Sequence, residues 1–262
     1  MIFETHAHYD DEAFDADRET LLSALPENGI RRAVNVAADL SSVKTSLALA
    51  ERYPYIYAAQ GVHPSGVQEL SEESFLWLEK QLSHPKAAAV GEIGLDYYWD
   101  KEEEVQANQR EWFARQLALS RKLKKPVIVH SRDAAKDTLD VMAAQGGPAL
   151  RAVIHCYSYT KETAREFLKW DCYFGIGGVI TFKNAKKLKE AVQYIPLDRI
   201  LLETDCPYLA PEPNRGRRNC SLYLPYVAEE IARIKGVTCR EVEEATWHNA
   251  CCFFDMDEKG NG

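Results

Sequence analysis

The 262-residue sequence predicts an α/β protein, a single-domain (β/α)8 TIM barrel, on three observations. Short apolar runs rich in Val, Ile and Ala alternate with longer amphipathic stretches, eight of each. The apolar runs are continuous rather than alternating, which suits parallel strands covered on both faces. The length is that of one barrel in which strand and helix repeat eight times. A doubly wound open sheet is the fallback for the same alternation.

The strands are expected at 2–5, 33–37, 56–61, 87–93, 127–130, 152–155, 172–176 and 200–203. Between them, 17–25, 41–52, 74–82, 106–123, 134–145, 161–169, 184–194 and 222–234 place apolar residues at spacings of three and four, the period of a half-buried helix. Pro126 directly precedes a strand run and Pro196 follows a helix, both natural boundary positions. A further helix over about 240–254 is expected to pack late against the barrel, and the chain after Asp255 to fray. The reading is one barrel domain over 1–255 and a short tail over 256–262.

Composition narrows the function classes. Apolar residues make up 46% and charged residues 27%, ordinary for a soluble globular protein. A net charge of −8 argues against broad, non-specific binding to nucleic acid, though bound metal ions can create a local cationic site that a residue count ignores. The seven cysteines, at 156, 172, 206, 220, 239, 251 and 252, are odd in number and contain no Cys-x-x-Cys pair. They leave a zinc ribbon or redox motif unsupported and fit a reducing cytosol. Residues 1–10 lack the basic-then-apolar pattern of a signal peptide, and no run is long enough to span a membrane. The expected location is cytoplasmic, with no membrane and no obligate protein partner.

The chemistry gathers at the strand ends. Five of the seven histidines fall there: His6 and His8, His63, His130 and His155, joined by Glu92 after the fourth strand and Asp205 after the eighth. In a barrel these ends converge on one mouth. Imidazoles bind transition metals well, and carboxylates neutralise charge and bridge. His6 and His8, two apart on a strand, point the same way and reach one ion. A second ion takes His130 and His155, with Glu92 suited to lie between the two and Asp205 completing the first site beside a metal-bound water. Two ions about 3.5–4 Å apart can clamp the attacking and leaving oxygens of a displacement. A lone His-x-His is more often incidental, and one strand-end histidine is as often a satisfied core residue. A buried carboxylate is costly unless paired or metal-bound, and six such residues together outweigh the structural alternative.

The motifs resemble those of the TatD family of metal-dependent deoxyribonucleases, within the amidohydrolase-like barrel superfamily. They are THAH at 5–8, GVHP at 61–64, GEIGLDYY at 91–98, HSRDA at 130–134 and LLETDCPYLAP at 201–211, followed by Arg215-Gly216, Arg218-Asn219 and Asn249-Ala250. The resemblance implies a phosphodiesterase acting on DNA, on single strands or 3′ ends. It implies two divalent metal ions, Mg2+ or Mn2+ with Zn2+ as the alternative. The metal positions carry over as His6, His8, Glu92, His130, His155 and Asp205. Asp205 acts as base and ligand in one and shares the catalytic role with Glu92. His63, Arg132, Arg215 and Arg218 are expected to contact substrate, His63 with a packed strand-end histidine as the equal alternative.

The sequence departs from the family pattern in four places. Cys156-Tyr157-Ser158-Tyr159 stands for Cys-Phe-Ser-Gly, a change expected to narrow the mouth. Cys220-Ser221 stands for Glu-Pro, His248 for Glu, and Glu4 for Asp. Arg215, Arg217 and Arg218 form a compact basic cluster, read as a phosphate grip or as a solvated loop. Tyr97, Tyr98 and Trp99 either stack a base or cap the core. Lys183, Lys186, Lys187 and Lys189 read as the wet face of a helix. The competing enzyme is a small-molecule amide, ester or lactone hydrolase on the same barrel, since fold does not decide substrate. Related amidohydrolases often bridge metals with a modified lysine on the fourth strand. Glu92 at that position favours the nuclease branch by resemblance. A non-catalytic binding protein is disfavoured by the complete ligand set.

Overall fold

The computed structural model describes residues 1–258. Its eight strands pair in parallel and in chain order. They are β1 (Ile2–Ala7), β2 (Ile30–Val36), β3 (Ile56–Gln60), β4 (Ala87–Asp96), β5 (Val127–Arg132), β6 (Ala152–Ile154), β7 (Tyr173–Ile176) and β8 (Ile200–Leu202). The seam between β8 and β1 is closed past the end of β8 by a parallel bridge between Ala7 and Cys206. The backbone N–H groups of His8 and Asp205 donate across that seam to Cys206 O and His6 O, each at 2.9 Å. The sheet is therefore a closed barrel, and the open-sheet fallback falls away.

The helices α1 (Arg18–Ala24), α2 (Leu40–Arg52), α3 (Glu72–Gln81), α4 (Glu103–Leu123), α5 (Ala135–Ala144), α6 (Lys161–Leu168), α7 (Lys186–Tyr194) and α8 (Leu224–Lys235) follow the strands in turn. Asp39 and Ser42 form a capping box at the start of α2, and Ser71 and Ser74 do the same for α3. The helices' apolar faces join the outward strand residues in one large buried cluster.

A second cluster fills the barrel interior. Phe3, Val34, Ala59, Ala89, Ile128, Val153 and Leu201 meet Trp247, Phe253 and Phe254 of α9 (Cys239–Phe254). Phe3 stacks on Phe254 at 5.4 Å and tilts against Trp247 at 5.9 Å. Each fully buried aromatic contributes about 2–3 kcal/mol, so α9 is a plug for the N-terminal end of the barrel. That leaves the C-terminal end as the open one.

Two boundaries differ from expectation for a physical reason. Strand β2 begins at Ile30 because the Arg32 guanidinium is accommodated at the plug, 5.3 Å from the Trp247 ring centroid, rather than in a loop. Strand β4 runs on to Asp96 because its register with β5 continues through Gly94–His130 and Asp96–Arg132. Gly94, at φ +149, permits this: a Cβ there would sit 1.9 Å from His130 O. The expected fraying also needs correction. Met256 N–H donates to Cys251 O, and Arg32 donates to Asp257 O at 2.5 Å. Residues 259–262 of the tail lie outside the described residues.

Candidate metal centre

The open end of the barrel holds a cleft of about 680 Å3 whose lining includes His8, His63, Glu92, His130, His155 and Asp205. His6 lies beneath, fully buried. Side chains from six strand ends, separated by up to 199 positions, meet in one cluster.

The distances sort the donors. His6 Nε2 and His8 Nε2 are 3.2 Å apart. Asp205 Oδ1 lies 3.4 Å from His8 Nε2 and 3.8 Å from His6 Nε2. Ligands about 2.0–2.2 Å from one ion can be no more than about 4.3 Å apart, so this trio fits a single cation. Glu92 splits its two oxygens. Oε2 is 3.5 Å from His6 Nε2, whereas Oε1 is 2.7 Å from His130 Nδ1 and 3.2 Å from His155 Nε2. His63 Nε2 stands 3.9 Å from the same Oε1, and His63, Glu92 and His130 form a second grouping able to hold an ion. Imidazoles and carboxylates without a thiolate suit first-row divalent ions and Mg2+.

The other ring nitrogens are held from behind. His8 Nδ1 lies 2.8 Å from Val36 O, His63 Nδ1 2.7 Å from Ser65 Oγ, and His130 Nε2 3.2 Å from Asp96 Oδ2. His155 Nδ1 is 3.3 Å from Glu203 Oε1, off hydrogen-bond alignment. Such rear partners fix which nitrogen faces a metal. Glu203 is buried and accepts a 2.6 Å bond from Cys156 N–H. Gly175 makes room for it, since a Cβ at that position would fall 2.0 Å from Glu203 Oε2. Asp205 adopts φ 57, a left-handed conformation that Asp tolerates better than most residues, within the seam where the chain past β8 meets β1.

The electrostatics follow from crowding. Burial works against the Glu92 carboxylate, but the His155 charge and hydrogen bonds from His130, His155 and His6 outweigh it and hold Glu92 well below its ordinary range. Burial likewise disfavours a charged His8, and Asp205 reverses this, raising the ring to about 9. His63 falls to about 4 through burial and the neighbouring His130. Rings and carboxylates face one another at close range here, and binding a cation between them would displace whatever protons they share.

The other expected contacts divide. Arg218 forks onto Asp17 at 2.6 and 2.7 Å and covers the Phe14 ring, so its guanidinium is already engaged. Arg215 rests over Phe182 and is exposed, as is Arg217. None of the three, nor Arg132, is among the residues lining the cleft, whose rim instead carries Asp10, Asp11, Glu12 and Asp39. Tyr97 caps the core, its hydroxyl donating to Asp137 at 2.8 Å, while Tyr98 and Trp99 face solvent. Asp96 and Glu203 appeared in the sequence motifs without a role. Only the turn of each side chain toward a ring reveals one.

Residues 3–255 match the family model described as TatD related DNase. A Bacillus subtilis protein named uncharacterized metal-dependent hydrolase YabD is 41% identical over 257 residues, covering 98% of this chain and 100% of its own. The chain belongs to the TatD family of metal-dependent hydrolases. A TatD protein of Cronobacter turicensis, named a 3′-5′ ssDNA/RNA exonuclease, is 32% identical over 246 residues, 92% of this chain and 93% of its own. The crystal structure of YjjV, a TatD homologue from Escherichia coli K12, superposes with a TM-score of 0.90 at 28% identity, covering 98% of both chains.

Within the TatD pattern, two of the departures in this chain meet. Glu4 Oε2 accepts a 2.8 Å bond from Ser221 Oγ, 217 positions away. Its other bonds come from Thr204 Oγ1, Thr204 N–H and His6 N–H. The longer Glu reaches a hydroxyl that the usual proline lacks. Burial raises the Glu4 acid to about 7 even with these bonds. Neither Tyr157 nor Tyr159, the departure expected to narrow the mouth, is among the residues lining the cleft. Tyr157 is buried, and Tyr159 OH lies 2.9 Å from Ser131 Oγ and accepts from Ala134 N–H. Tyr159 thus fastens the loop after β6 to β5 and the start of α5, while Tyr157 donates to Thr160 O within its own loop at 2.6 Å.

Proposed function

We propose that this TatD protein is a deoxyribonuclease, cleaving DNA phosphodiester bonds at a binuclear centre and working inward from a 3′ end. The observation that carries the reading is the division of Glu92, one oxygen toward His6 and the other toward His130 and His155. His6, His8 and Asp205 would hold one ion and His130 and His155 the other, with Glu92 offering one oxygen to each. When bound, divalent ions polarise a phosphoryl oxygen and make water nucleophilic near neutral pH. Asp205, at the cleft wall, takes the proton from the attacking water on the carboxylate oxygen that does not face His6 and His8. His63 faces the scissile phosphate, and Arg215 reaches a flanking one. The match to a DNase family model and the exonuclease name of one relative support this reading. Mg2+ or Mn2+ suits the oxygen-rich substrate, with Zn2+ the alternative.

The second reading, hydrolysis of a small uncharged ester, amide or lactone, is favoured by the acidic rim, which has no Lys or Arg among the cleft-lining residues. One experiment separates the two. Metal-stripped protein is incubated with labelled single- and double-stranded oligonucleotides, with Mg2+, Mn2+ or Zn2+ restored in turn. Stepwise shortening from the 3′ end is expected with Mg2+ or Mn2+. Intact strands with all three metals, alongside turnover of a neutral ester, would transfer the assignment to the second reading.

A further inference from the structure

We propose that Tyr98, Trp99 and Arg132 form a nucleotide subsite beside the metal centre. The base stacks on Trp99, and Arg132 holds the phosphate of the same nucleotide. This rests on the nucleic-acid reading above.

Trp99 is 71% exposed and Tyr98 46%. An indole left in water is costly and informative where single exposed leucines are not. The two rings stand at 86° with centroids 4.8 Å apart, making an open right-angled corner. Arg132 lies in that corner, its guanidinium carbon 4.0 Å from the Tyr98 centroid and 5.7 Å from that of Trp99. The Arg132 guanidinium has no carboxylate or hydrogen-bond partner among the described residues, unlike that of Arg218 on Asp17. A guanidinium oriented by an aromatic face and free of any acid keeps its fork for an anion.

The corner is fastened to the metal cluster by one carboxylate. Asp96 Oδ1 accepts from the backbone N–H of Tyr98 at 2.9 Å and of Trp99 at 3.2 Å, while Oδ2 lies 3.2 Å from His130 Nε2. Arg132 is the second residue after His130 on β5, about 6.6 Å along the strand, and its carbonyl accepts from Tyr97 N–H. The corner therefore sits one nucleotide's reach from the centre, outside the cleft that takes the scissile group. Stacking needs only a π-face, so the subsite accepts any base. It also supplies the cation that the acidic rim lacks.

The test is a pair of titrations with a five-residue oligothymidylate whose linkages are phosphorothioate, so that binding is not consumed by turnover: tryptophan quenching reports the contact, and the anisotropy of a 5′ fluorescein reports the affinity of every variant. Saturable quenching is expected for the wild type and its loss in Trp99→Phe, with affinity kept within about twofold. Trp99→Ala weakens binding about tenfold, and Arg132→Gln lowers the salt slope by about 0.7. An abasic strand of equal charge binds wild type and Trp99→Ala alike. Quenching unchanged in Trp99→Phe, or equal affinities of wild type and Trp99→Ala for the oligothymidylate, overturns the subsite. If the wild type still shortens the unmodified strand, the nuclease reading stands. A wild type that binds no strand overturns both.

Discussion

An imidazole has two nitrogens, and a metal site is built only when each ring shows the right one. His155 faces Glu92 with Nε2, and its other nitrogen has Glu203 3.3 Å away. Removing that charge leaves the ring in place but weakens its hold on a cation. Glu203→Gln is expected to lower Mn2+ affinity about 10- to 100-fold, read by titration calorimetry. Unchanged affinity would make Glu203 a support for Cys156 N–H alone. Asp205→Asn is expected to cut turnover by about 10²–10⁴-fold with the fold intact. Because the amide also binds a cation less well, metal content is measured with the rate. Near-normal turnover by the fully metallated variant would remove Asp205 as the base. The six proposed ligands were legible in the sequence because a strand end in a barrel has one direction to point. The rear partners were not, because Asp96 and Glu203 acquire roles only through the side-chain turn that sets them against a ring. The encounter of Glu4 with Ser221 was beyond reach for a related reason: 217 residues separate two changes that each read as isolated.

Helices α7 and α8 show how an element is held by more than its apolar face. Glu230 of α8 receives Arg233 from its own helix, in two bonds of 2.8 Å, and Lys189 from α7, also at 2.8 Å. Those hydrogen bonds to Arg233 lead the causes that hold the Glu230 acid down at about 2. A carboxyl depressed in the folded state stabilises fully above its unfolded value of 4.5, and the contribution is lost as pH falls from there toward 2. Arg233 is well exposed, so solvent screening keeps the contribution small. Urea midpoints of wild type and Glu230→Gln should differ at pH 7 and converge by pH 2. A gap constant across that range would sink the assignment. At this scale the strands were the more legible elements, since a continuous apolar run has few other uses in a chain of this length. The start of β2 was hidden by Arg31 and Arg32, which read as loop until Trp247 supplies a surface for the second of them. Lys189, read as part of a helix's wet face, also joins two helices.

For the whole molecule, a cation that binds only the folded cluster adds to its stability by mass action. At an ion concentration 100 times Kd the gain is about 2.7 kcal/mol, or about 5–10 °C in Tm for a chain of this size. Thermal melts with Mn2+ and with a chelator should differ by that amount. Coincident melts, with Mn2+ shown to be bound, would mean that the ion holds the unfolded chain equally well. The closed barrel was legible from eight repeats, but the seam that closes it was not. Residues 203–206, just past β8, carry no strand signal distinct from the motif they belong to. That seam is also where His6 and His8 meet Asp205. An ion held there is a clasp between the first ten residues of the chain and the last strand of the sheet. Amides of β1 and β8 should then exchange their hydrogens with solvent in one cooperative unit when the ion is bound. A chain still being synthesised, with residue 205 inside the ribosome, would have half a clasp, so an ion could not be held there until Asp205 had emerged to meet His6 and His8.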